Sequence, residues 1–360
     1  MVIESVLSDQ DLSTRHTLAS SNRAVQGVSI QRVRDVLEWC ADTSHCAQHS
    51  PIWVLGQGSN VVFGADFPGT LLLSAIKGVT RVSTESDGDT EVWRVAAGEL
   101  WRDWVEQSVD AGLSGLENLA LIPGTVGAAP VQNIGAYGSD LSQVCVGVHA
   151  VDIRTGSARY FTQQACRFAY RDSIFKHPDD ANRWFITAVD FRLSRRFHPV
   201  LSYPALQKAC AAPRSARDVF DAVCAIRSQK LPDPAVLPNA GSFFKNPLIL
   251  RSEAECLRQK LPEIPIFVLS NADAWGVAER ESGEQVQRVK VSAGYLIEQA
   301  GLKGYRRGNV GVYAHHALVL VRHAPGPGAE IVALSTEIQQ RVLDQFGVRL
   351  DIEPVVWRGG

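Results

Sequence analysis

The sequence is poor in several features that would have settled its class quickly. It has seven cysteines (Cys40, Cys46, Cys145, Cys166, Cys210, Cys224, Cys256), an odd number with no Cys-x-x-Cys pair. That spacing argues against zinc ribbons, iron–sulfur clusters and a disulfide framework, and leaves reduced thiols as the expectation; no metal site is expected. There is no excess of either charge: 36 basic residues face 38 acidic ones, for a formal net charge of −2. A global basic field for nucleic acid is therefore missing, and no nucleic-acid partner is expected. No run of 18 apolar residues exists to span a bilayer. Met1 to Arg15 carries three acidic residues and no basic stretch before an apolar core, which does not read as a secretory signal, so a cytoplasmic location is expected. The Rossmann fingerprint and the Walker A sequence are also lacking.

What is present is the composition of a globular chain with substantial cores: 45% hydrophobic and 21% charged over 360 residues, enough for two or three domains. Ile30, Val33, Val36, Leu37 and Cys40 share one face of an expected helix, with Ser29 as its cap. Ile52–Leu55 and Leu71–Ile76 read as buried strands. Val189, Phe191 and Leu193 alternate with Asp190 and Arg192, the pattern of a half-buried strand. Val219, Phe220, Val223 and Ile226 return to helical spacing just before Lys230. After a strand-like Ala317–Val321, Pro325-Gly326-Pro327-Gly328 is a break that no regular element crosses. An amphipathic helix from about Ala329 to Phe346 follows, with Ile331, Leu334, Ile338 and Val342 inward and Gly347 as its stop.

Two segments are small and glycine-rich where a backbone could approach a ligand. One is Gly56-Gln57-Gly58-Ser59-Asn60, which runs on into Val61-Val62-Phe63 instead of opening a helix. Alone it reads better as a plain tight turn. The other is the 17-residue stretch from Ile122 to Gly138, with four glycines, two prolines and no charge. It makes a poor surface loop and a poor core helix, which favours a buried loop lining a ligand. Glycine lets successive amides converge on an anion such as pyrophosphate.

These segments occur in order with Gly115-Leu116-Glu117, Tyr170-Arg171-Asp172-Ser173-Ile174-Phe175-Lys176, Lys230-Leu231-Pro232-Asp233-Pro234, Asn239-Ala240-Gly241-Ser242-Phe243-Phe244-Lys245-Asn246-Pro247 and Ala293-Gly294-Tyr295-Leu296-Ile297. Together, over roughly residues 50 to 355, the chain resembles the UDP-N-acetylenolpyruvoylglucosamine reductases. The resemblance implies an α+β protein with a vanillyl-alcohol-oxidase-type FAD-binding fold of two subdomains, plus a third α+β domain closing over a nucleotide-sugar substrate. It places the FAD-binding region in 1–225, with subdomains roughly 1–80 and 81–225. A substrate-binding domain follows in 226–345, and a carboxy-terminal segment, 346–360, returns to the active site. It implies that NADPH reduces FAD and that hydride then reaches the enolpyruvyl double bond, giving UDP-N-acetylmuramate for peptidoglycan precursor synthesis. A monomer is expected.

Residue by residue, the resemblance implies cofactor contacts from Gly56, Gly58, Ser59, Asn60, Pro123, Gly124, Thr125, Gly127, Gln132, Asn133 and Gly135. Arg171 becomes the cation facing the developing negative charge, and Ser242 the proton donor. Glu353 is the terminal carboxylate in Leu350-Asp351-Ile352-Glu353-Pro354, with Asp351 as the nearby substitute. Substrate contacts fall on Tyr137, Tyr170, Tyr203, Lys230, Asn246 and His316. Tyr203 marks the tyrosine-loop subtype, and His316 stands where the family usually has Gln. Residues before about Val28 match poorly, apart from Thr17. Two other readings account for part of the pattern: a different flavin oxidoreductase of the same superfold, and a non-catalytic nucleotide-sugar binder.

Overall fold

A computed structural model describes residues 6–42, 51–84, 88–177, 180–268 and 288–359. The chain forms two compact units. The first comprises Met1–Gln10, Val25–Gln57 and Pro68–Gln229; the second comprises Asp11–Ala24, Gly58–Phe67 and Lys230–Gly360.

In the first unit, an all-antiparallel sheet runs Ala158–Thr162, Cys145–Asp152, Trp184–Ser194, Thr90–Ala96, Val79–Thr84 in spatial order. The central strand Trp184–Ser194 was expected to be half-buried. It is buried at nearly every position, Asp190 included. A buried carboxylate is tolerated only with partners. Here the Arg94 Nε donates to Asp190 Oδ1 at 2.8 Å, and His149 Nε2 lies 3.0 Å from Oδ2. Alternation in the sequence therefore marked a face that carries this cluster, with Asp190 buried and Arg192 exposed. The opposite face rests on Trp101, Trp104 and Phe191, whose rings lie 5.7 to 6.0 Å apart, with Phe161 and the helix Ala216–Lys230 in the same core. That helix buries Val219, Phe220, Val223 and Ile226 as expected.

A second sheet of this unit has the order Val6–Asp11, Arg23–Ile30, Phe67–Ser74, Ile52–Leu55, the last pair parallel. The expected helix near Ile30 begins at Val33, because Ser29 and Ile30 belong to the strand before it. Arg32 is its N-cap instead of Ser29, and the Asp35 carboxylate takes the amides of Gln31 and Arg32 at 3.0 and 2.9 Å. Its buried face is Asp35, Val36 and Trp39, while Val33 and Leu37 are exposed.

The second unit holds a four-stranded sheet, Asn239–Ser242, Val319–Arg322, Val310–Val312, Arg306–Arg307. Beside it are a three-stranded sheet and the parallel pair Val61–Phe63 with Val355–Trp357. The helix Ala329–Phe346 turns Ile331, Leu334, Ile338 and Val342 inward and stops at Gly347, left-handed at φ 72°. The break before it is a pinned corner: Ser21 N–H donates to Gly326 O, and Gly328 N–H to Asn22 Oδ1, both at 3.0 Å. A side chain at Gly328 would begin 1.7 Å from the Phe63 carbonyl. The six described cysteines are free, and Cys46 lies outside the described residues. Among the described residues no helix is long and apolar enough to cross a membrane.

Candidate active site

The first unit joins its two glycine-rich segments directly. The Gly124 amide donates to Gln57 Oε1 at 2.8 Å. A Cβ at Gly56 would sit 2.5 Å from Thr125 Oγ1, so glycine leaves room for that hydroxyl. The second segment is more ordered than its composition suggested, since Val126–Gln132 is a 3-10 helix. Val126 and Gly127 donate their amides to the carbonyls of Glu99 and Ala97, each at 2.9 Å, which locks the segment to the five-stranded sheet's unit. Asn133 ends this turn in the left-handed region at φ 46°. Its amide is used within the protein: Nδ2 donates to Ala169 O at 3.2 Å, and Oδ1 accepts from Ser142 N at 3.0 Å.

FAD fits these residues. Thr125 Oγ1 is buried and has no hydrogen-bond partner among the described residues, beside a loop whose Pro123 and Gln132 lie near the surface. A buried hydroxyl without a partner is uncommon, and an acceptor or donor on a bound group satisfies it. In the second unit Thr17 Oγ1 is in the same condition, with the Thr17 amide donating to Gly58 O at 3.2 Å. Gly58 is left-handed at φ 68°, and its hydrogen faces Arg15 O so closely that a Cβ would lie at 2.3 Å. Ser59 and Asn60 continue this turn, and Asn60 O accepts from Val355 N at 3.0 Å.

Arg171 occupies a strained turn at φ 54°. Its Nη2 donates to Gly135 O at 2.7 Å, and its guanidinium carbon lies 5.5 Å from the Tyr170 ring centroid. A Cβ at Gly135 would stand 3.0 Å from Arg171 Nη1, so this glycine makes room for the arginine. Tyr137 is also left-handed, φ 50°, and its ring meets Tyr203 edge-on with centroids 5.1 Å apart. Asn118 Nδ2 holds the Tyr137 and Val200 carbonyls at 2.9 and 2.8 Å, which fixes both ends of this pair. Burial raises the Tyr137 phenol, so it stays protonated as a donor.

Arg227 was missed in the sequence. Half-buried on the helix Ala216–Lys230, it has no carboxylate partner among the described residues. Burial pushes its basicity down, and the nearby Arg171 charge pushes it further. A half-buried guanidinium that lies near a second one, and has no acid of its own among the described residues, calls for an anion from outside. Its position three residues before Lys230 on one helix was the available signal.

The second unit sets the segment that carries Glu353 beside the one that carries Ser242. Ser242 ends the strand Asn239–Ser242, paired with Val319. Among the described residues its hydroxyl makes no hydrogen bond, so it does not cap the turn. Phe244 bridges to Ile352, and the amide of Glu353 donates to Phe243 O at 2.9 Å. Glu353 is buried and Asp351 exposed. The Asn246 Oδ1 accepts from Ala293 N at 3.0 Å, which orients its amide. Lys230 and His316 belong to this unit, the imidazole Nδ1 accepting from Leu318 N at 3.3 Å.

Residues 233–357 match the family described as UDP-N-acetylenolpyruvoylglucosamine reductase, C-terminal domain, and residues 22–161 match an FAD binding domain family. The chain is 46% identical over 308 residues to the UDP-N-acetylenolpyruvoylglucosamine reductase of Pseudomonas aeruginosa, covering 84% of this chain and 85% of that one. The chain belongs to the UDP-N-acetylenolpyruvoylglucosamine reductase family. The Chromobacterium violaceum member is 40% identical over 354 residues, covering 97% and 98% of the two chains. Among solved structures, the UDP-N-acetylenolpyruvylglucosamine reductase of Thermus caldophilus matches with a TM-score of 0.62 at 21% identity, covering 98% of both chains. The 6-hydroxy-D-nicotine oxidase of Arthrobacter nicotinovorans follows at 0.53 and 14% identity, over 97% of this chain and 87% of its own. At these identities the two structures speak for the fold, the vanillyl-alcohol-oxidase type expected for the family.

Proposed function

We propose that this chain reduces UDP-N-acetylenolpyruvoylglucosamine to UDP-N-acetylmuramate in peptidoglycan precursor synthesis, with NADPH as reductant. The observation that carries the reading is the Ser242 hydroxyl: free of protein hydrogen bonds among the described residues, on the strand beside buried Glu353. Bound FAD supplies the hydride chemistry that links NADPH to the enolpyruvyl double bond.

Each residue's task follows from the charge that the reaction creates. Hydride arriving at carbon 3 leaves negative charge on carbon 2 and its carboxylate. Arg171, always charged and planar, stabilises that charge. Ser242 delivers the proton to carbon 2, a task a weak acid performs only toward a very basic carbon. Glu353 holds the donor's surroundings polar and oriented. Gly56, Gly58, Ser59, Asn60, Pro123, Gly124, Thr125, Gly127, Gln132, Asn133 and Gly135 hold the cofactor, several through backbone and packing. Tyr137, Tyr170, Tyr203, Lys230, Asn246 and His316 hold the substrate.

In the same reading residues 1–225 serve the cofactor, 226–345 the substrate, and 346–360 supply Glu353. The enzyme works in the cytoplasm as a monomer, without nucleic acid, and its product feeds cell-wall growth, cell shape and division.

The test is spectroscopic. Purified protein with a flavin spectrum should bleach anaerobically with NADPH and recover when UDP-N-acetylenolpyruvoylglucosamine is added. Bleaching without recovery removes the substrate assignment. No flavin after reconstitution removes the reductase assignment altogether.

A further inference from the structure

We propose that Ser173 is a positioning residue: its hydroxyl, together with the side chain of Asn133, holds the strained turn of Arg171 on the segment 131–135 and so aims the guanidinium. The proposal rests on the task given to Arg171 above and adds to it a residue, Ser173, that no step of the reaction has used.

The turn is a tight one. Ala169 N–H donates to Asp172 O at 3.0 Å and Asp172 N–H to Ala169 O at 3.2 Å, which leaves Tyr170 and Arg171 at its apex. Arg171 stands there at φ 54°, in the left-handed region that glycine enters at little cost and a long side chain does not. A residue persists in such a conformation only where its surroundings fix the chain from several sides.

Alternate residues of one short segment do the fixing. At the exit of the turn, Ser173 Oγ donates to Val131 O at 2.7 Å. That carbonyl lies in the last turn of the 3-10 helix Val126–Gln132, where carbonyls find no partner within the helix. At the entry, Asn133 Nδ2 donates to Ala169 O at 3.2 Å, and the Ser142 amide steadies the other end of that side chain at 3.0 Å. At the tip, Arg171 Nη2 donates to Gly135 O at 2.7 Å. All of these residues belong to the first unit. Ser173 and Asn133 are both buried, so water does not readily replace either bond once it is lost. Val131, Asn133 and Gly135 thus grip the exit, the entry and the tip, and a turn released at its exit has less to keep Arg171 left-handed.

A purely local role for Ser173 fits less well. It caps the short helix Ile174–Lys176 by accepting from Phe175 N at 3.2 Å. Capping needs only a lone pair, whereas the hydroxyl hydrogen is spent on Val131, 42 residues away in the chain. The Ser173 amide is held separately, by Asp172 Oδ1 at 3.0 Å.

The experiment is stopped-flow absorbance of the FAD-loaded protein, reduced with NADPH and then mixed with UDP-N-acetylenolpyruvoylglucosamine, across a cycle of Ser173→Ala and Arg171→Ala. Ser173→Ala should slow recovery of the flavin spectrum about 10- to 100-fold at saturating substrate, the effect of misplacing a reacting group by about 1 Å. Ser173→Thr keeps the hydroxyl and should recover within about threefold of wild type. In the Arg171→Ala background, Ser173→Ala should change recovery by less than about twofold, because groups that act as one unit are lost only once. A lower melting temperature alone decides nothing, since Val131 O is left unpaired in either case. Asn133→Gly, which suits the left-handed backbone at φ 46° and removes the amide, should follow the same cycle and decides the matter if Ser173→Ala fails to load FAD. Losses that multiply in the double variant, or wild-type recovery in Ser173→Ala, would overturn the proposal. Wild-type recovery in Arg171→Ala would overturn it together with the task given to Arg171. Wild-type protein that bleaches and never recovers would sink the substrate reading itself.

Discussion

The amide of Glu353 donates to the carbonyl of Phe243 at 2.9 Å, which sets buried Glu353 across from the residue that follows Ser242. If that hydroxyl is the acid, Ser242→Ala should slow substrate-dependent recovery of the flavin spectrum by about 10²- to 10⁴-fold, while bleaching by NADPH stays near wild type. Glu353→Gln should fall in the same half-reaction, and exposed Asp351→Asn should change neither. Stopped-flow absorbance separates the two halves; a large loss in Asp351→Asn alone would move the carboxylate's role to Asp351.

The outcome at these positions also marks what could be read ahead of the structure. The helix ending at Phe346 was legible because its apolar spacing and Gly347 stop are local features. The strand around Asp190 was misjudged, since a carboxylate in an alternating pattern reads as solvent-facing until Arg94 and His149, distant in sequence, are seen to pair with it. Ser29 failed as a cap because the preceding strand claimed it. The composition of Ile122–Gly138 raised the expectation of a ligand loop from sequence alone, but the need for Gly56 is explained only by Thr125 lying beneath it. Arg227 escaped notice because an arginine's lack of a partner is a property of the fold, not of its neighbours in the chain.

The Gly56–Thr125 approach separates packing from cofactor binding. Gly56→Ala places a methyl group 2.5 Å from Thr125 Oγ1, so the melting temperature should drop, with about 1–3 kcal/mol of destabilisation from overpacking. Thr125→Ala removes a hydroxyl left unpartnered among the described residues. The flavin-free protein should melt within a degree or two of wild type, while FAD affinity by fluorescence quenching falls about tenfold. Unchanged FAD affinity would mean that the hydroxyl does not face the cofactor.

Arg227 offers a charge test with opposite signs in two assays. Arg227→Met relieves a half-buried cation of its desolvation and of repulsion from Arg171, so the flavin-free protein should be as stable or more so. Its KM for the enolpyruvyl substrate should rise about 10- to 100-fold, as expected for loss of a charged contact, with FAD content intact. Lower stability together with unchanged KM would make the arginine structural.

The Tyr137–Tyr203 contact predicts a split between ring and hydroxyl. The edge-on pair survives in Tyr203→Phe and is lost in Tyr203→Ala, a difference of about 0.5–1.5 kcal/mol in the order of the 203 segment. Both variants should raise KM if the hydroxyl touches substrate; only Tyr203→Ala should do so if the ring alone matters. Wild-type KM in both would remove Tyr203 from the substrate contacts.

Stability toward acid should depend on His16. Burial pushes this imidazole down to about 4, with the Arg322 charge assisting that shift. Its ring packs edge-on against Phe63 at 5.4 Å, and Ser20 Oγ lies 3.0 Å from Nε2. In the unfolded chain the same group titrates near 6.5, so between about pH 6.5 and pH 4 the unfolded state binds a proton that the folded state refuses. Stability therefore falls as pH drops through that window, by up to about 3 kcal/mol from this group. Half-buried His316 and the lowered His323 act with the same sign, so the total slope is not diagnostic and the difference between proteins is. Asp190 does not intrude: burial works against its charge, but hydrogen bonds from His149 and Arg94 hold it at about 2, and its contribution is lost only at pH values below this window. His16→Gln, which keeps a polar group near Ser20, should melt lower than wild type at pH 7 yet lose less on going to pH 5. Parallel melting curves for the two proteins across pH 7 to 5 would show that His16 titrates alike in the folded and unfolded chain.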